Sequence, residues 1–303
     1  MSTPPTSTHD PLSPVRTYQA QPSKPRLRLP PGACDAHVHV FGPPERFAYD
    51  PARSLTPVAA PCETLFALHR TLGIERCVIV QSMVHGLDNR VVEDAIAAGQ
   101  GRYLGVALVP VDVPDAELAR LARAGMRGVR FNFMRHLGKG ADVREVLALT
   151  PRLAAHGLHL QVHFESALVH ELGPVLAQSR VPVVIDHMGR VDARQGPQHA
   201  DFQALMRLLD TPGFWVKLSG IDRIDAHAPP DQRYALGVAL AQQLWRANGE
   251  RCIWGTDWPH PNHTHIPDDA ALVDALAEIV PDEAARQALL VDNPQRLYRF
   301  EPG

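Results

Sequence analysis

The sequence predicts a closed parallel barrel of the TIM, or (β/α)8, class. From residue 34 onward, eight short apolar runs rich in β-branched residues alternate with stretches of helical periodicity. With 303 residues, of which 45% are hydrophobic, the chain is long enough to bury one large core. No G-x-G-x-x-G or Walker A motif follows any of the runs. The series of strand–helix units therefore favours a barrel over an open nucleotide-binding sheet.

The strands and helices follow in order from this alternation. The predicted strands cover residues 34–41, 76–81, 103–109, 128–133, 159–164, 181–187, 214–218 and 251–257. The predicted helices between them cover residues 63–72, 91–98, 115–124, 143–155, 168–178, 202–209 and 234–247. Two further helices, at 269–279 and 282–290, are expected after the eighth strand, before a terminal turn at Asn293-Pro294.

Residues 1–31 differ in composition from residues 32–303, which we predict to be a single barrel domain. The first 31 residues are rich in Pro, Ser and Thr and contain few large apolar side chains. Such a segment buries too little surface to offset the entropy cost of ordering, so we expect an extended or disordered arm. The arm could instead drape across the barrel or a sister subunit, and the sequence is compatible with a homo-oligomer.

Composition and charge argue against several classes of function. The formal net charge is −3 and the basic residues are scattered, so a nucleic-acid partner is not expected. No apolar run reaches the roughly 18–20 residues that span a membrane, and the first residues lack a secretory signal. We therefore expect a cytoplasmic protein. The cysteines Cys34, Cys62, Cys77 and Cys252 lie far apart and are expected to be buried thiols.

The first predicted strand carries two histidines with catalytic potential. In Asp35-Ala36-His37-Val38-His39, side-chain alternation puts His37 and His39 on one face and Ala36 and Val38 on the other. The apolar face would pack against helices, so the histidines would point into the barrel, at the end where such barrels hold their active sites. An isolated pair of this kind could equally be two core histidines bonded to carbonyl groups.

Three further predicted strands also end in reactive side chains. The fifth ends at His163, the sixth at His187 and the eighth at Asp257. Neutral imidazoles and a carboxylate are the ligands that Zn²⁺ and similar ions prefer. The sequence therefore predicts one shared site that contains His37, His39, His163, His187 and Asp257.

These motifs resemble the amidohydrolase superfamily and, more narrowly, its 2-pyrone-4,6-dicarboxylate lactonase branch. The resemblance runs from about residue 33 to residue 299. It is strongest in residues 34–43, 127–133, 186–190, 254–262 and 290–294. Enzymes of that branch hydrolyse a lactone ring during the breakdown of aromatic acids.

The resemblance implies a hydrolase in which Asp257, His187, His37 and His39 are catalytic. Asp257 would take a proton from the attacking water and pass it to the leaving oxygen. With His163, these residues would form a five-ligand site for one Zn or Mn ion, which would polarise the carbonyl and activate the water. The best-known member of the branch works without metal and has a tyrosine at the position of His163. In a metal-free enzyme the histidines would hold the oxyanion, and the sequence leaves both alternatives open.

Four arginines are candidates for binding the substrate. Arg130, Arg190 and Arg223 match the pattern of the branch, and Arg135 lies beside a position that differs. A guanidinium group binds a carboxylate through two parallel hydrogen bonds. Several arginines near the mouth of a barrel therefore predict a small anionic carboxylate as the substrate.

Other pocket positions depart from the branch and leave the identity of the lactone open. Leu55, Met83 and His136 stand where the branch has a tyrosine, a serine and an arginine. Ser82, next to Met83, and His85 follow the second strand and are expected to line the pocket. A 2-pyrone-4,6-dicarboxylate, a sulfonated muconolactone and a sugar-acid lactone are all compatible with these differences.

The segment after the eighth strand contains three more histidines. His260 follows Asp257 closely and is expected to orient it. His263 and His265 are expected to be solvated loop residues.

Two other functions remain as alternatives. A metal-dependent decarboxylase of the same superfamily would use a similar set of ligands. A barrel that binds a small molecule without catalysis is disfavoured because all the catalytic positions, including Asp257, are retained.

Overall fold

The computed structural model describes residues 13–134, 140–225, 229, 232, 234–263 and 265–301. Eight parallel strands form one sheet in the order β1 to β8, and each is hydrogen-bonded to the next. The Ala36 N–H donates to the Trp254 carbonyl, and the Asp257 N–H donates to the His37 carbonyl, both at 2.8 Å. These bonds join the first strand to the last. The predicted (β/α)8 barrel is confirmed.

The strands are short, and most begin within two residues of the predicted positions. They are β1 (Cys34–Val38), β2 (Arg76–Val80), β3 (Tyr103–Leu108), β4 (Met126–Phe133), β5 (His159–Phe164), β6 (Val183–Ile185), β7 (Phe214–Lys217) and β8 (Cys252–Ile253). Val, Ile and Leu dominate them because both faces of a parallel sheet are buried.

The helices between the strands also follow the predicted order. They are α1 (Cys62–Leu72), α2 (Arg90–Ala98), α3 (Asp115–Arg123), α4 (Val143–Ala155), α5 (Val169–Leu176), α6 (Ala200–Leu209) and α7 (Ala235–Asn248). After β8 come α8 (Asp269–Asp274), α9 (Leu276–Ile279), α10 (Glu283–Gln287) and α11 (Asn293–Tyr298). A π-helical turn, Ala288–Asp292, joins the last two. The two helices predicted at 269–279 and 282–290 are thus broken into shorter pieces.

Two apolar clusters hold these layers together. The larger one lies between the strands and the helices and contains Ile79, Leu65 and most of the other buried side chains. The smaller one contains the alternate strand residues Val78, Val80 and Val106, with Tyr298 of α11 packed against them. Because side chains alternate along a strand, the smaller cluster is the interior of the barrel.

A β-bulge in β1 changes the facing of its side chains from the prediction. Asp35 pairs with Cys77 and Val38 pairs with Ile79, so β1 has one more residue than β2 between these pairs. Ala36, predicted to share a face with Val38, therefore belongs to the interior cluster, whereas Val38 packs in the outer one.

Residues 13–31 lie in extended conformations against the barrel. The Tyr18 ring packs on the ring of Trp258 with centroids 5.2 Å apart, and Tyr18 is only 7% exposed. The Asp274 carboxylate accepts hydrogen bonds from the N–H groups of Arg26 and Leu27. Among the described helices, none combines the length and the apolar composition needed to cross a bilayer.

Candidate active site

A cavity opens at the carboxyl ends of the strands, where the sequence predicts the site. Its wall contains most of the predicted residues together with side chains of the neighbouring loops. They are His39, Ser54, Leu55, Ser82, Met83, Val84, Arg130, His163, His187, Arg190, Arg223, Asp257, Pro261 and Asn262. The cavity thus combines imidazoles, guanidinium groups and one carboxylate with a partly apolar wall.

Asp257 lies at the floor of this cavity and faces three imidazoles. Its Oδ1 is 3.6 Å from Nε2 of His37, 3.4 Å from Nε2 of His39 and 3.8 Å from Nε2 of His187. All four side chains are buried. Strands β1, β6 and β8 thus bring these groups to one point.

Hydrogen bonds on the far side of the rings orient two of these histidines. Nδ1 of His39 lies 2.7 Å from the Val80 carbonyl, which can only accept, so Nδ1 carries a proton and Nε2 is the nitrogen that faces Asp257. Nδ1 of His187 bonds to the Ser219 hydroxyl at 2.9 Å. Burial lowers the pKa of His187 well below its usual value, so this ring is neutral.

These residues fit a divalent metal ion. Nε2 of His37 and Oδ1 of Asp257 are buried and have no hydrogen-bond partner. One ligand atom each from His37, His39 and Asp257 lies within 4.8 Å of the others. Lone pairs of imidazole and carboxylate that face each other repel unless a cation or a proton lies between them, and this donor set is one that Zn²⁺ prefers.

Arg223 fixes the other oxygen of the carboxylate. Its Nε and one Nη donate to Oδ2 of Asp257 at 2.7 and 2.5 Å, and the same Nη donates to the Pro261 carbonyl. Burial would raise the pKa of Asp257, but the charge of Arg223 outweighs it and holds the pKa well below its usual value. Asp257 is therefore ionised, and the Arg223 guanidinium is committed to it although it also lines the cavity.

Beneath the cavity lies a buried charge network that the sequence analysis did not identify. Oδ2 of Asp186 accepts a hydrogen bond from Nε of Arg130 at 2.8 Å. Nζ of Lys217 donates to the Ala36 carbonyl and lies 3.2 Å from Nδ1 of His37 and 3.5 Å from Oδ1 of Asp186. The sequence could have pointed to Lys217, because this lysine ends an apolar strand, where a charged side chain needs a partner.

This network sets the protonation of the ring above it. Burial and then the Lys217 charge lower the pKa of His37 to about 3, so His37 is neutral. Burial lowers the pKa of Lys217 to about 8, and the charge of Asp186 opposes this shift. Arg130, expected to bind a substrate carboxylate, has its Nε bonded to Asp186 and also lines the cavity.

Arg190 adds another guanidinium group to the cavity wall. Within the described parts of the chain, its guanidinium forms neither a hydrogen bond nor an ion pair. Burial and then repulsion by Arg223 lower the pKa of Arg190 to about 10, which still leaves it charged at neutral pH. It is available to an anionic ligand.

His163 lies in the cavity wall beside the convergent group. Its Nδ1 is 3.3 Å from the Asn132 side-chain oxygen, and its ring centroid is 5.4 Å from that of His187. Nε2 is buried without a hydrogen-bond partner. In the described residues, the groups of mutually close ligand atoms do not include His163.

The remaining predicted substrate contacts differ in position. Ser82 lines the cavity, as expected. His85 does not line the cavity. Its Nδ1 bonds to the Ala48 carbonyl and its Nε2 accepts the Gly42 N–H, so the ring connects the loop after β2 to the loop after β1. Arg135 lies outside the described residues.

The loop histidines also differ from expectation. His260 does not orient Asp257 through its ring, because Nε2 of His260 bonds to Asp269 at 3.0 Å. His263 is not solvated, because its side chain is only 3% exposed and bonds to Asp222. His265 is also near Asp222, with 3.8 Å between Nε2 and Oδ2.

The backbone at the site adopts a conformation that L-residues rarely take. His187, Arg190 and Asp257 have φ values of 48°, 55° and 67°, in the left-handed region. Such residues persist where the surrounding packing enforces them, and they are common at functional sites. The sharp turns aim these side chains into the cavity instead of along the strands.

Comparisons with known proteins agree on the relationship. The amidohydrolase family model matches residues 34–300. A 2-pyrone-4,6-dicarboxylate hydrolase from Comamonas testosteroni is 40% identical, covering 93% of this chain and 94% of that protein. A 4-sulfomuconolactone hydrolase from Hydrogenophaga intermedia is 38% identical, covering 90% of each. The structure of a probable 2-pyrone-4,6-dicarboxylic acid hydrolase from Acinetobacter baumannii, with citric acid bound, has a TM-score of 0.78 at 26% identity, covering 89% of this chain and 100% of that one.

Proposed function

Because this chain belongs to the amidohydrolase family, we propose that it is a hydrolase that opens a small carboxylated lactone with water activated by Asp257. The proposal rests on the Asp257 carboxylate, which faces three imidazoles at the floor of a cationic cavity. The hydrolases of 2-pyrone-4,6-dicarboxylate and 4-sulfomuconolactone that this chain resembles act on lactones with acidic substituents. We expect a substrate of the same class.

The cations of the cavity support an acidic substrate. Arg190 has no protein partner among the described residues, and Arg130, whose Nε bonds to Asp186, also lines the cavity. A carboxylate or sulfonate on the lactone would bind these two guanidinium groups. The citric acid in the related structure from Acinetobacter baumannii is consistent with a site for polycarboxylates in this subfamily.

Asp257 is placed to move the proton of the reaction. Water attacks the lactone carbonyl carbon, and Oδ1 of Asp257 accepts the proton that the water loses. The bond between the carbonyl carbon and the ring oxygen then breaks, and Asp257 returns the proton to that oxygen. Arg223 holds Oδ2 and keeps the carboxylate ionised, so Asp257 is in the basic form when substrate arrives.

The residues that would hold a divalent ion here are His37, His39, His187 and Asp257. On the far side of the three rings, the Nδ1 atoms contact Asp186, Val80 and Ser219, respectively. Such an ion would polarise the lactone carbonyl and lower the pKa of the water. The residues on the far side of the rings hold each imidazole with its Nε2 toward Asp257 in either case.

The test is Asp257→Asn, assayed on a panel of lactones with and without chelator. The panel contains 2-pyrone-4,6-dicarboxylate, 4-sulfomuconolactone and a sugar-acid lactone, and ring opening is followed by base consumption. We expect kcat of the variant to fall by at least about 10³-fold, because the proton acceptor is lost. Asp115→Asn, which alters an exposed carboxylate, is the matched control and should behave as wild type.

Two results would contradict the proposal. One is an Asp257→Asn enzyme with wild-type turnover. The other is release of CO2 without base consumption from the same substrates, which would identify a decarboxylase. Metal content and sensitivity to chelator, measured on the same preparations, decide between the metal-dependent and the metal-free form.

A further inference from the structure

A second group of histidines and carboxylates lies behind the Arg223–Asp257 pair. Asp222, His260 and His263 each offer one ligand atom within 4.8 Å of the other two. Asp222 and His260 are completely buried, and the His263 side chain is 3% exposed. None of these residues lines the substrate cavity.

Hydrogen bonds outside this group leave unused ligand atoms inside it. Nε2 of His260 lies 3.0 Å from Oδ1 of Asp269, which is itself fully buried. Nε2 therefore carries a proton, and Nδ1 of His260 is buried without a hydrogen-bond partner. Oδ1 of Asp222 is also buried without a partner. Histidines that bind metals usually donate their other N–H to a carboxylate in this way.

The carboxylates of this group and of its neighbour Asp269 are buried beside histidines. Within the described residues, Asp222 and Asp269 form ion pairs with histidines alone. Arg223, the neighbour of Asp222, is committed to Asp257. Carboxylates that are fully buried are normally paired with a cation or bound to a metal ion. A divalent cation would balance both carboxylates at once.

We propose that Asp222, His260 and His263 form a second divalent metal site, separate from the group around Asp257. Two imidazoles and a carboxylate are a donor set that suits Zn²⁺, with a water or a further ligand to complete it. Nε2 of His263 and Oδ2 of Asp222 are 2.5 Å apart, and a proton joins them in a hydrogen bond when no ion is present. The ion replaces that proton, which is released on binding.

The site links the two loops that build the catalytic pair. Asp222 belongs to the segment after β7 and immediately precedes Arg223, whereas His260 and His263 belong to the segment after β8, which also contains Asp257. An ion held between these loops fixes Arg223 against Asp257. The three ligands are therefore positioning residues, and the site has a structural role.

The test counts zinc in chains that lack the first metal group. The variant His37→Gln/His39→Gln is saturated with ZnCl2, passed through a desalting column and analysed by mass spectrometry for metal. We expect about one zinc per chain, and close to none when Asp222→Asn and His263→Gln are added. The matched control adds His170→Gln instead, because His170 forms a similar His–Asp pair on the surface. That control should keep its zinc.

A second measurement does not depend on the folding of the multiple variant. In the otherwise wild-type chain, Asp222→Asn/His263→Gln should lower the zinc content by one relative to wild type, with an unchanged circular dichroism spectrum. A His37→Gln/His39→Gln chain without zinc would overturn the proposal, as would a zinc content that is insensitive to Asp222 and His263. In that case the group is a hydrogen-bonded set of histidines and carboxylates.

Discussion

Arg190 is the side chain whose role depends most directly on the substrate. It lines the cavity, is half-buried and has no protein partner among the described residues, so its charge is left for a ligand. Arg130 and Arg223 are already bonded to Asp186 and Asp257. The free energy of substrate binding should therefore depend on Arg190 more than on the other two.

We expect Arg190→Met to raise KM for a carboxylated lactone by roughly 10- to 100-fold, with a smaller effect on kcat. A change of this size corresponds to the loss of one or two hydrogen bonds between charged groups. Steady-state kinetics measures both constants. Arg194→Met is the control, because Arg194 bonds to Asp192 on the surface and should leave KM unchanged. An unchanged KM in Arg190→Met would remove this residue from the substrate site.

The sequence identified the residues of the candidate active site but not their partners. The positions of His37, His39, His187 and Asp257 follow from the ends of strands, because parallel strands deliver their carboxyl ends to one face. The partner of Arg130 could not be predicted, since Asp186 is brought to it from another strand. Such pairings depend on the rotation of each side chain within the barrel, which the one-dimensional pattern does not contain.

At the scale of elements, β1 and β8 close the barrel, and they also position His37 and Asp257 of the candidate active site. The Thr256 hydroxyl donates to Oδ2 of Asp35 at 2.6 Å, and the Thr256 N–H donates to Oδ1 of Asp35 at 3.1 Å. Gly255 leaves no room for a side chain, because an added Cβ would lie 2.5 Å from the His37 nitrogen. Asp35 thus ties the strand of His37 to the strand of Asp257.

We expect Thr256→Val to lower the free energy of unfolding by about 2–3 kcal/mol, because it leaves a buried carboxylate without its hydroxyl donor at nearly constant volume. Urea denaturation measures this change. Thr71→Val is the matched control, since its hydroxyl donates to the Ala67 carbonyl on the exposed face of α1, and its effect should stay within about 0.5 kcal/mol. Equal effects of the two substitutions would show that the Asp35 contact is not important for closure.

The elements also show where prediction from the pattern stops. All eight strands were found because each is an apolar run between turn residues. The bulge in β1 was missed, because strict alternation assigns Ala36 and Val38 to one face and an extra residue in a strand leaves no mark in composition. The ends of β6 and β8 were placed too late, since His187 and Asp257 adopt left-handed conformations that stop the ladder.

At the scale of the whole molecule, the segment before β1 packs against the residue that follows Asp257. Tyr18 packs on Trp258, which follows Asp257 directly, and the Tyr18 hydroxyl donates to the Ala59 carbonyl at 3.0 Å. The segment is fastened at its other end by Asp274 of α8. Side chains remote from the cavity can therefore affect the position of Asp257.

The fastening by Asp274 gives a prediction for the whole chain. Its carboxylate accepts the N–H groups of Arg26 and Leu27 at 2.7 and 2.9 Å and the Nε of Arg26 at 3.0 Å. Asp274→Ala removes all three bonds, so we expect faster trypsin cleavage after Arg26 in the native protein and a kcat reduced by a few-fold. Asp192→Ala is the control, because that carboxylate makes the same kinds of bond to a residue two positions away and fastens no distant segment. If the two variants were cleaved at the same rate, Asp274 would not hold the segment, and the contact of Tyr18 with Trp258 would have to be maintained by burial of the aromatic rings alone.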